Sequence, residues 1–180
     1  GRTEIRWQYN ENAGKAALYW KGDTYVSTGK GMLRISGETV MAMGPDRDDG
    51  LSAEFQGTIK AIIGLDYWLL VAMDGGTANK SCILAKYVTA DSWHPIYTTS
   101  AVNKSINSLC WIAGKLYFNE GTDVKWIYLP DTTDNVLLYS GYTFAASGEI
   151  ILPRTDCGLA AITKLALELE AITKDCNSNE

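Results

Sequence analysis

Histidine is almost missing from this chain. A single residue, His94, occurs among 180, so no multi-histidine metal site can be assembled from it. A nucleophile relay would have to be built around that one ring, and no nucleophile-elbow pattern is present. Cysteine is sparse as well: Cys82, Cys110, Cys157 and Cys176, with no C-x-x-C spacing, which argues against a zinc site. Cys82 and Cys110 fall inside apolar runs, where a free thiol acts as a small hydrophobe. One disulfide is compatible with four cysteines, but the sequence does not choose the pair. No apolar run approaches the roughly 20 residues of a membrane-spanning helix. The N-terminus, Gly1-Arg2-Thr3-Glu4-Ile5, has no apolar signal core, and its lack of a first Met fits a fragment or a processed product. Basic residues are outnumbered 16 to 21 by acidic ones, for a net charge of −5. That balance argues against a nucleic-acid surface, which needs a basic face to recruit phosphates. No phosphate loop is expected either, because Gly29-Lys30-Gly31 is too short and no strand-loop-helix frame surrounds it.

What the chain does contain is repetition. An apolar run, a short turn and a second apolar run recur four times. The turns are centred on Gly22, Leu65, Gly114 and Lys164, spaced 43, 49 and 50 residues apart. The flanking runs are short and rich in Val, Ile, Tyr, Trp and Thr, and Gly, Asn and Asp clusters separate them; these are strand and turn signals. The pattern predicts strands over 17–20, 24–27, 31–35 and 39–43, then 58–63, 67–74, 81–87 and 93–98, then 106–112, 115–119, 123–128 and 135–139. Four strands per repeat at a period of about 40–50 residues is the makeup of a propeller blade. The expected fold is therefore all-β: a β-propeller-like array of four-stranded repeats, with three blades plus a partial fourth, or a small closed propeller. Residues 1–148 hold the repeats, with residues 4–9 around Trp7 available as an outer strand for the last blade. Residues 149–180 read as a partial fourth blade, in which 149–152 and 159–172 are strand-like. In the second of these stretches Leu165, Leu167 and Leu169 alternate with Ala166, Glu168 and Glu170, which favours a strand over the helix that Ala, Leu and Glu would also allow. The best candidate boundary lies at 143–148. An open stack of this kind would leave an apolar face and an edge uncovered, so self-association is expected unless further chain covers them.

Candidate chemistry is thin. Asp46, Asp48 and Asp49, followed by Gly50, look like a small cation loop, since calcium takes several oxygens on a tight turn. The EF-hand pattern is not met, because Gly50 falls where a third ligand belongs; the plain alternative is a solvated connector. His94 begins a strand between Trp93 and Pro95, where a structural role competes with ligand binding. Of Trp7, Trp20, Trp68, Trp93, Trp111 and Trp126, most sit inside repeat strands and read as inter-blade packing. Trp93 borders a loop and is the candidate platform for stacking a sugar. Thr89-Ala90-Asp91-Ser92-Trp93 faintly echoes the turn of sialidase-type propellers, seen once and without its Gly. No carboxylate pair can be nominated for glycoside cleavage, and no catalytic residue or cofactor is expected.

An ordered series of local patterns adds a resemblance. It comprises Gly44-Pro45-Asp46-Arg47-Asp48-Asp49-Gly50-Leu51, Gly57-Thr58-Ile59-Lys60-Ala61, Ser92-Trp93-His94-Pro95-Ile96 and Lys115-Leu116-Tyr117-Phe118-Asn119. Trp126-Ile127-Tyr128-Leu129-Pro130 and Ala145-Ala146-Ser147-Gly148-Glu149-Ile150 followed by Asp156 complete it. Together these resemble a propeller-type segment of tail-associated structural proteins of uncultured tailed bacteriophages. The resemblance implies a non-enzymatic structural or receptor-binding part of a phage tail, located in the virion and touching other tail proteins or host-surface glycan. It also implies that 149–180 is the truncated start of a β-sandwich-like module. It carries no catalytic residues. The alternatives are a free-standing carbohydrate-binding propeller and, behind it, a glycan-cleaving one. A lectin should repeat its pocket residues in every blade, whereas the loops 44–57, 75–80 and 129–135 share little.

Overall fold

The computed structural model describes residues 10–48 and 50–131, all within the first of two compact units, Gly1–Tyr142. These residues form eleven strands in three antiparallel sheets, with no α-helix among them. The first sheet runs β1 (Ala13–Trp20), β2 (Asp23–Thr28), β3 (Met32–Ser36) and β4 (Thr39–Ala42), each strand paired with the next. The second repeats that order with β5 (Thr58–Gly64), β6 (Trp68–Asp74), β7 (Lys80–Tyr87) and β8 (His94–Val102). The third holds β9 (Leu109–Ile112), β10 (Lys115–Glu120) and β11 (Asp123–Tyr128). The expected strand at 135–139, the strand around Trp7 and everything assigned to 149–180 lie outside the described residues.

Local sequence sets these hairpins. Trp20 pairs with Asp23 and Ile112 with Lys115, so Lys21-Gly22 and Ala113-Gly114 are two-residue loops. All four residues have positive φ, at 51° and 88° and at 49° and 79°. That is the type I′ geometry whose twist matches the flanking strands. Glycine supplies its second position in both loops.

The three sheets stack in chain order. Tyr25, Met32 and Ala16 of the first sheet pack against Ile59, Leu69, Val71, Met73, Cys82 and Leu84 of the second. The other face of the second sheet, with Leu70, Ala72, Ile83 and Ala85, packs against Leu116 and Phe118 of the third. Side chains alternate across a strand, so a sheet covered on both faces needs apolar residues at every position. The Leu69–Met73 stretch of β6 and the Ser81–Lys86 stretch of β7 are accordingly buried without interruption. The outer sheets keep the alternation: every second residue is buried in β2 and in β10. Along the stack the first strands adjoin, β1 beside β5 and β5 beside β9.

Tryptophan fastens the first joint. The Trp20 indole crosses from β1 to the end of β5, donates to the Leu65 carbonyl at 2.8 Å and tilts against Tyr25 at 5.8 Å. It can do so because residue 64 is glycine; a Cβ there would lie 2.3 Å from the indole ring. Replacing Gly64 by Ala therefore overpacks this joint, and the variant is expected to lose about 1–3 kcal/mol. Urea denaturation of the two proteins would show this as a lower midpoint, and an unchanged midpoint would mean that the indole is free to move aside.

Candidate functional site

The sequence candidates gather around the connector between the first two sheets, residues 43–57. It makes two short 3-10 turns, Pro45–Arg47 and Ala53–Phe55, and closes over one side of the joint. Its polar backbone is taken up from below: Gln56 donates to the Pro45 carbonyl at 3.2 Å, and Asn79 donates to the Ala53 and Gln56 carbonyls, each at 3.2 Å. Leu51 is buried in the core between the sheets, and Phe55 packs against it.

Trp93 belongs to this connector's support. Expected as a platform bordering a loop, it is a core residue with 4% of its surface exposed. Its indole nitrogen donates to the Met43 carbonyl at 3.0 Å and its backbone N–H to Asp48 Oδ2 at 2.6 Å. The joint between the sheets covers the ring, so no open face is left for a sugar to stack upon. Sequence could not show this, because the partners that bury Trp93 lie 45 and 50 residues away. His94 follows as the first residue of β8 and is exposed, its Nε2 3.0 Å from the Ser92 hydroxyl. Trp93 and His94, adjacent in sequence, thus point to the core and to solvent respectively.

The acidic loop is put to similar use. Asp48 accepts from Trp93 through Oδ2 and from the Gly50 N–H through Oδ1 at 3.0 Å. Both oxygens are thereby held by backbone amides. The Asp46 carboxylate lies 4.0 Å from Arg47 Nε and rests against the backbone of Gly31 and Gly44. A Cβ at Gly31 would stand 2.2 Å from its Oδ1. Asp49 is outside the described residues. Among the described residues no group of three or more His, Cys, Asp or Glu side chains could hold a metal ion. Cys82 and Cys110 are free thiols. Burial, with Glu54 nearby, pushes the Cys82 thiol up to about 12, which leaves it protonated and unreactive.

The most elaborate polar constellation escaped sequence reading. Glu120, at the end of β10, is buried where the second and third sheets meet. Its Oε2 accepts from Lys125 at 2.6 Å and from the Tyr97 hydroxyl; its Oε1 accepts from the Ser100 hydroxyl at 2.7 Å and the Ser100 N–H at 3.2 Å. Tyr97 and Ser100 come from β8, so the carboxylate ties the two sheets together. Burial would raise the Glu120 pKa, but the bonds from Lys125, Tyr97 and Ser100 outweigh it and hold the group at about 2. Burial, then the bond to Glu120, raises the Tyr97 pKa, and the bond to Glu120 chiefly raises that of Lys125. Every partner of Glu120 is thus kept in its ordinary charge state at neutral pH, as befits a structural clamp.

Among the described residues the exposed tryptophan is Trp126, not Trp93. It is 44% exposed on the outer face of the third sheet, meets Tyr128 edge-on at 5.0 Å and carries Lys115 Nζ 3.9 Å over its ring. The alternation of Val124, Trp126 and Tyr128 was a readable signal for that shared face. The chain matches no protein-family model, no curated protein and no solved structure.

The clamp has a pH signature. The Glu120 pKa falls from 4.5 to about 2 on folding, so its stabilisation is complete above pH 4.5 and fades as pH drops toward 2. Glu120→Gln should cost about 1–3 kcal/mol at neutral pH, because it removes a charge-assisted acceptor and leaves buried donors unmet. Denaturation midpoints of the two proteins should converge as pH falls through that window. Curves that stay parallel would show that Glu120 is not held as described.

Proposed function

We propose that this chain is a non-enzymatic β-propeller-type scaffold of a phage tail, either a structural part or one that touches a receptor. The observation that carries the scaffold reading is the sequential stacking of the sheets, with β1, β5 and β9 adjoining and both faces of the second sheet consumed by packing. Adjoining first strands are the arrangement of propeller blades around an axis. The buried polar groups, two of them sequence candidates and one not, support the same reading. Asp48 caps a turn and holds Trp93, Trp93 locks the connector, and Glu120 clamps two sheets. These residues are committed to holding shape. Contact with neighbouring tail proteins or host-surface glycan then falls to exposed loops and the outer sheet faces, acting many times over in an assembled particle.

The tail assignment rests on the ordered local patterns from residue 44 to residue 156. Gold-labelled antibody raised against the chain tests it on virus-like particles from the source sample. Label is expected at the tail tip or baseplate. Bare particles, with the protein confined to the soluble fraction, would reject the tail assignment and promote the free carbohydrate-binding propeller.

A further inference from the structure

We draw no further inference here: the strongest candidate, the outer face of the third sheet where Trp126 is 44% exposed and Lys115 Nζ lies 3.9 Å over its ring, carries nothing because nothing in the structure shows what covers that face.

Discussion

The second sheet has no free face, and the rest of the structure depends on that constraint. Leu69, Val71 and Met73 point to one neighbour while Leu70 and Ala72 point to the other. A sheet of that composition cannot stand alone in water. It exists because the first and third sheets cover it, and each outer sheet in turn buries its inner face against it. Stability in such a stack is a sum of sheet terms and nearest-neighbour joints. The joints are where buried side chains carry it: truncating a buried Leu to Ala in such a place removes about 2–5 kcal/mol.

Apolar contact does not by itself fix how one sheet sits on the next; the polar groups buried with it do. Two indoles perform this task between the first and second sheets, Trp20 donating to Leu65 and Trp93 to Met43, while Trp111 makes a similar bond within the third unit, to Leu129 at 2.9 Å. Each indole supplies a large apolar surface and a single donor that meets a carbonyl, unlike the Trp68 donor, which is buried with no partner among the described residues. The strand-end charges are handled differently in each sheet: Arg34 reaches Asp23 at 2.6 Å, Lys60 reaches Asp74 at 3.3 Å, and Lys125 reaches Glu120 at 2.6 Å. The repeat is thus one of shape. Its polar chemistry was solved anew in each unit, which is why no repeated set of polar residues could be read across the three sheets.

Much of the strand layout was legible because it is written locally. Residues 58–63 and 123–128 became β5 and β11 with ends matched to within a residue. β8 ran to Val102 rather than 98, and β9 began at Leu109 rather than 106. Both differences have the same cause. Period and propensity do not reveal that Ile106 is drawn into the core from a loop, nor that Ser100 is held by Glu120. The candidate site was less legible for a related reason. A tryptophan beside a loop reads as exposed until its distant partners are known. Glu120 gave no signal, because nothing in a strand end that reads Asn119-Glu120-Gly121 announces four converging donors.

Position within the stack does leave a trace in the sequence. β6 is apolar from Leu69 to Met73 and β7 from Cys82 to Ala85, and both runs are buried without interruption, whereas in β2 and β10 only every second residue is buried. Because a sheet with two neighbours must be apolar on both faces, the continuous runs mark an internal unit and the alternating ones mark the ends of the described stack. The two ends are also unlike each other. The first presents small and β-branched residues around Val26 and Ile35, the third presents rings and a cation around Trp126 and Lys115. A stack whose ends differ has a direction. Whatever meets one end must differ in shape from whatever meets the other, and that asymmetry arises from the same alternation of side chains that built the sheets.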